Sequence, residues 1–418
     1  MHTQSSQIAA SRTTPLWAVL TLTFLCSIGS GVVYGGVFFL AESQYGFTQR
    51  DNFVLALVFG LAYMPGAYFA GAALRLLRRA GIMPRTALIA LTTLMGVLCF
   101  LPIVVDHFAA GPARPSWPIW VTIGAYSPLS GCLWPIVESF LAGGRSEQQL
   151  RRATGRFNVT WSSAIVVTML AMANFVESRA LLIIGALGFV HLACIGIVAR
   201  FEQVPATHEH HDHHRPIVYR QLLTFLRMLL PVSFMFNSTL SPYMPAALRA
   251  LGVAAVWKTP VTATWYSTRV LTFLVMERWH GWHGRWTVPI LGSVLLLVSF
   301  AWLVLVPMLA PESLGLPLFL VGLGAFGVGV GIVYAAALYY AMEVGSSGVD
   351  AGGTHEALIG IGYTAGPIFG LAGVGAAGLG WASDRSSTII MLGLATLAAT
   401  GAGAIALARA ARVARNGR

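Results

Sequence analysis

Long apolar runs, each separated from the next by a few polar residues, fill this chain almost from end to end. They show neither the two-residue alternation of a half-buried strand nor the single apolar stripe of a helix on a soluble protein. Crossing a hydrocarbon core of roughly 30 Å takes about 20 helical residues, and the runs have that length. The pattern predicts helices over 16–41, 52–74, 86–105, 117–142, 157–176 and 180–199, then over 222–248, 259–276, 288–309, 316–342, 356–381 and 387–408. The longest polar interval, FEQVPATHEHHDHHRPIVYRQ at 201–221, divides the two sets. The expected organisation is a six-helix bundle over 1–200, a His-rich linker over 201–221, and a second six-helix bundle over 222–418 that ends in a short basic tail.

A spanning segment must satisfy its own backbone hydrogen bonds, and uniformly apolar runs of this length do so as helices rather than as the ten-residue alternating strands of a barrel. The fold class is therefore all-α: a polytopic membrane protein with about 12 transmembrane helices in two pseudo-symmetric bundles. Composition agrees, since 418 residues with a mean hydropathy of +0.72 and only 10% charged residues lack the polar surface of a soluble globule.

The net charge of +11 does not indicate nucleic acid, because the basic residues sit in short loops between apolar runs. With the N-terminus inside, Arg75, Arg78, Arg79 and Arg85, then Arg145, Arg151, Arg152 and Arg156, fall in cytoplasmic loops. Of 26 Lys and Arg, only Arg50, Arg114, Arg179, Arg249, Lys258 and Arg385 fall on the opposite side, and Arg269 lies within a helix. The inside-positive bias places both termini and the linker in the cytoplasm, in what is expected to be a bacterial inner membrane. The first apolar run is expected to be a retained helix, and Trp117, Trp120, Trp257, Trp286 and Trp381 are expected interfacial anchors. Cys26, Cys99, Cys132 and Cys194 lie in apolar runs without CxxC pairing and are read as small buried hydrophobes.

Two six-helix halves joined by a long loop resemble the major facilitator superfamily of secondary transporters. Between the second and third helices the stretch GAALRLLRRAG matches that family's loop motif at Gly71 and Arg79, with Arg78 in a glycine position and Arg75 in place of the acidic residue. The second-half equivalent, FLVMERWHGWHGRW, supplies Glu277 and Arg278 as the acidic-basic pair. The resemblance implies that Gly71, Arg79, Glu277 and Arg278 latch the bundles together, and the departure at Arg75 counts against a symmetric latch. Trp134 to Glu138 and Tyr339 to Glu343 repeat an aromatic-x-x-x-Glu spacing at corresponding places in the two halves.

A few polar residues lie inside the apolar runs. Arg269 is about two turns inside its helix, on one face with Thr262, Trp265 and Thr272 or Phe273. A charge at that depth needs a partner or water, so it either lines a cavity as a binding cation or forms a static ion pair. Glu138 is placed to accept a coupling proton, or to pair with Arg156. Glu356 precedes Gly360 and Tyr363 on one face, with the alternative that it complements the dipole at its helix start. Arg156, Asn158 and Trp161 fall where the resemblance puts an inner cavity, and Tyr34, Asn237, Ser241 and Tyr334 are candidates to complete an aromatic and polar pocket. His208, His210, His211, His213 and His214 have enough imidazoles for a metal ion, although a pH-responsive solvated linker explains them as well.

No GxxxxGK[ST], GxSxG or HExxH motif occurs, so neither an ATP-driven pump nor an enzyme is expected, and no cofactor. The expected activity is secondary transport of a small organic solute by alternating access, coupled to protons, by a monomer in the lipid bilayer. Efflux is favoured over uptake because the candidate pocket is aromatic and apolar. The alternatives are a non-transporting receptor or assembly factor, and a metal-regulated or metal-ion carrier that uses the His-rich loop.

Overall fold

The structure, a computed structural model, describes residues 13–109, 114–206, 216–344 and 348–416. The predicted His208–His214 cluster lies outside the described residues. Among the described residues, twelve helical rods follow one another. The first half holds α1 (Leu16–Tyr45), α2 (Gln49–Tyr68 and Ala70–Arg79, bent by 52°), α3 (Pro84–Phe108), α4 (Trp117–Ala142), α5 (Glu147–Met172) and α6 (Ala180–Val198). The second holds α7 (Ile217–Ala250), α8 (Ala255–Arg278), α9 (Thr287–Leu309), α10 (Glu312–Val344), α11 (Val349–Gly378) and α12 (Asp384–Asn416). Eight of the rods are long and apolar enough to cross a membrane on composition alone, nine with the bent α2. The other three, α4, α5 and α8, carry Glu138, Ser162 and Arg269, which are buried within the protein rather than facing lipid.

Three helices begin five or more residues earlier than the apolar pattern predicts. Helix α5 starts at Glu147 because Ser146 and Gln149 form a capping box, with Gln149 N–H donating to Ser146 Oγ at 3.4 Å. Its first turns, EQQLRRATGR, are too polar to read as membrane yet continue the helix. Helices α7 and α11 start at Ile217 and Val349. Glu356 therefore sits about two turns inside α11, where the helix dipole no longer accounts for it.

The halves meet most extensively along two crossings, α2 against α11 and α5 against α8. Glycine makes the first of these a contact of backbone on backbone. A Cβ on Gly60 would stand 2.5 Å from the carbonyl carbon of Tyr363, and one on Gly360 2.7 Å from Met64 Cα. Ion pairs between the halves then close both ends. On the face rich in arginine, hereafter the basic face, Arg75 Nη1 donates to Asp350 Oδ2 at 2.6 Å and Arg151 Nε to Glu343 Oε1 at 2.5 Å. On the far face Arg249 donates to Glu42 at 2.6 Å, with Lys258 3.9 Å from the same oxygen.

The expected latch is thus rebuilt. Arg75, which seemed to remove it, is the residue that pairs across the halves, and Gly71 lets Asp350 approach, since a Cβ there would stand 2.0 Å from its oxygen. Glu277 packs on Gly155 at the other crossing. Arg79 and Arg278 are exposed and form no ion pair among the described residues.

The two kinds of contact differ in strength. Exposed ion pairs are worth about 0–1 kcal/mol, and Arg75 and Asp350 are 59% and 70% exposed. Forcing a side chain into a packed backbone contact costs about 1–3 kcal/mol. Thermal unfolding in detergent is expected to show little change for Arg75→Ala and a clear loss for Gly360→Leu; the reverse order would mean that the latch, not the glycine crossing, holds the halves.

Candidate functional site

Where α1, α2, α4, α5, α7, α8, α10 and α11 converge, the apolar interior gives way to aromatic and polar side chains around a cavity of about 60 Å³. That is room for a few waters, so the halves are nearly closed upon it. Helix α1 reaches it through a π-helical stretch, Ser30–Gly36, a wider turn of the kind found at functional positions. Tyr34 projects from it into the centre.

At the middle of the wall stands Arg269, 3% exposed. Its Nε donates to Ser162 Oγ at 2.9 Å, and its guanidinium lies 4.3 Å from the Trp161 ring centre and 4.9 Å from that of Tyr266. Asn158 accepts a hydrogen bond from Trp161 Nε1 at 3.3 Å, which fixes the ring over the cation. Among the described residues the arginine forms no salt bridge to a carboxylate, and its Nη2 has no hydrogen-bond partner. The Asn237 Oδ1 and the Tyr34 and Tyr266 hydroxyls are likewise unpartnered. Buried polar groups are rarely left so, and four around one cavity mark a place built for water or a solute.

Aromatic rings bridge the halves here. Tyr363 of α11 lies 4.4 Å from Tyr34, 5.1 Å from Phe59, 5.4 Å from Tyr63 and 5.3 Å from Phe234. Tyr334 adds contacts to Trp161, Phe234 and Phe273 at 5.1 to 6.0 Å.

Two carboxyl groups sit towards the basic face. Glu356 accepts a hydrogen bond from Tyr63 and lines the central cavity. Glu138 is 7% exposed with Oε1 unpartnered, and it faces a second space of about 330 Å³ shared with Arg227, Asp350 and His355. The expected alternatives are absent: Arg269 meets a serine rather than a carboxylate, and Glu138 has no arginine partner among the described residues.

Of the predicted residues, Tyr34, Trp161, Asn237, Arg269, Tyr334, Glu356 and Tyr363 line the central cavity. Three do not. Trp265 turns away to pack on Phe326, ring centres 5.1 Å apart, because the cavity stripe of α8 runs through Tyr266 and Arg269 rather than through Trp265. Arg156 is exposed, and its neighbour Phe157 takes the lining position. Ser241 is buried and returns its hydroxyl to the Asn237 carbonyl at 2.9 Å. Tyr63, Trp134, Tyr266 and Ser162 were missed; the signal available for Tyr266 was its position one turn before a buried arginine.

No protein-family model and no curated protein matches this sequence. Its backbone is similar to solved structures of the nucleoside transporter NupG. A point mutant of NupG superposes with a TM-score of 0.67 at 10% identity, covering 93% of this chain and 99% of that one. A second NupG structure gives 0.65 at 10% identity, covering 93% and 98%. The chain shares the fold of those structures. In that fold the central cavity between the halves is where this chain places its unpartnered polar groups.

Removing Asn158 frees the Trp161 ring without touching the cation. Asn158→Ala is expected to leave the fold intact and to raise the tryptophan's mobility, read as a red shift and reduced anisotropy of its fluorescence against a Trp161→Phe control. An unchanged spectrum would show that aromatic packing alone holds the ring.

Proposed function

We propose that this chain is a secondary transporter that moves a small organic solute across a membrane by alternating access, coupled to protons. The observation that carries the reading is the buried guanidinium of Arg269, unpaired and aimed with Asn237 into a cavity shared by the two halves. A charge there is costly unless something binds it. A solute that brings an anionic or hydrogen-bond-accepting group to Arg269, and a flat or apolar body to the Tyr34, Trp161, Tyr334 and Tyr363 rings, satisfies both sets of groups.

The carboxyl groups of Glu138 and Glu356 supply the coupling. An ionised carboxylate without a cation is costly at this depth, so taking up and releasing a proton is the change of state open to it. Glu356 touches the solute cavity while Glu138 faces the space on the basic face, an arrangement suited to passing a proton between solvent and solute site. Ion pairs between the halves on both faces suit a cycle in which each end opens in turn. The two NupG structures make nucleosides sensible first compounds, and the direction of net flux, with efflux the expected one, is read in the same assay.

Proteoliposomes loaded with a pH indicator test the reading against a panel of nucleosides, aromatic carboxylates and drugs. A transported compound should evoke proton movement that falls at least tenfold in Glu138→Gln and Glu356→Gln, while solute counterflow persists. Arg269→Ala should lower solute affinity about tenfold or more. Counterflow indifferent to Arg269→Ala would overturn the site, proton movement intact in both glutamine variants would overturn the coupling, and no flux of any compound would favour a non-transporting receptor.

A further inference from the structure

Behind α1, on the side away from the solute cavity, Cys26 meets His191 and Cys194 of α6. Among the described residues these form one group whose ligand atoms all lie within 4.8 Å of one another. The two sulfurs are 3.9 Å apart, and all three side chains are buried, at 3%, 0% and 0% exposure. His191 Nε2 is 2.8 Å from the hydroxyl of Tyr126 on α4, and its Nδ1 has no hydrogen-bond partner. Gly29 makes room for this group, because a Cβ there would stand 2.0 Å from the Tyr126 hydroxyl and 3.0 Å from His191 Nε2.

We infer that Cys26, His191 and Cys194 form a buried site for a soft divalent metal ion of the zinc class, with Tyr126 beside it. Two thiolates at the usual zinc–sulfur distance of about 2.3 Å, in tetrahedral geometry, lie about 3.8 Å apart. The sulfurs stand at nearly that separation. Two thiolates, a neutral imidazole and a divalent cation sum to zero charge, which an apolar bundle interior tolerates; a monovalent ion would leave a net negative charge there. Holding one ring nitrogen of a histidine ligand by a neighbouring group is the usual way to orient it, and Tyr126 does this to His191. The two cysteines thereby gain a role that their reading as inert hydrophobes does not give them. The site ties α1 to α6 within the first half, so it is independent of the solute cavity and of the histidines in the linker.

Cobalt(II) replaces zinc and gives a thiolate-to-metal charge-transfer band that histidine ligands alone do not produce, so the intact chain can be used with its His-rich linker in place. The purified protein should bind about one equivalent of cobalt with such a band, displaced by zinc, and the band should disappear in Cys26→Ser and Cys194→Ser. His191→Ala should weaken the binding about tenfold or more. Should the serine variants not fold, the wild type still decides the matter: zinc should protect Cys26 and Cys194 from alkylation relative to chelator-treated protein, with Cys99 and Cys132 as internal controls. No charge-transfer band, equal alkylation with and without zinc, or a Cys26–Cys194 disulfide found by mass in protein prepared under non-oxidising conditions would each overturn the site.

Discussion

A guanidinium held between two aromatic rings in the middle of a membrane bundle, with no carboxylate to meet it, is the constraint to which the centre of this protein answers. Water is scarce at that depth and a lone charge is expensive. The faces of Trp161 and Tyr266 supply part of what water would, since a cation over an aromatic face gains roughly 0.5–2 kcal/mol depending on its desolvation. Ser162 supplies one hydrogen bond. What remains unsatisfied points into the cavity, and the surrounding rings keep the space from collapsing onto the charge.

The same economy governs how the halves are joined. Between α2 and α11 glycine brings backbone against backbone, a contact that cannot slide without separating, whereas the ends are tied by ion pairs whose arginines reach solvent, with Asp350 exposed and Glu42 and Glu343 more covered. A pivot wants the first kind of contact and a gate the second. Arg75 with Asp350 and Arg151 with Glu343 lie at one end, Arg249 with Glu42 at the other, so either end can part while the crossing holds.

Much of this was readable from the residues. Twelve apolar runs, the division at the linker and the oddity of Arg269 within a helix all follow from hydropathy, which the bilayer enforces on every residue that meets it. Phase within a helix was harder. A 100° step separates Trp265 from Tyr266, and only the position of α10 decides which one faces inward. Likewise Glu356 read as a first-turn residue because the polar opening of α11 hid the helix start at Val349. The Arg75 latch was invisible because a motif is read along one chain segment, whereas its partner Asp350 lies in the other half. The approach of Cys26 to Cys194, 168 positions away, belongs to the same class of long-range fact.

The placement of the central charges has a logic of its own. Glu356 and Arg269 line one cavity, yet Glu356 takes its hydrogen bond from Tyr63 and Arg269 gives one to Ser162. Had the two met as an ion pair, each would have neutralised the other and neither would have had reason to bind a proton or a solute. A buried pair is broken only at a cost of about 3–5 kcal/mol, which would have to be supplied in every cycle. Neutral partners hold both side chains in place while leaving their charge states free to change. In the proton-coupled carrier proposed above, occupancy of one group would alter the other through the field in the cavity, linking proton and solute without their needing to touch.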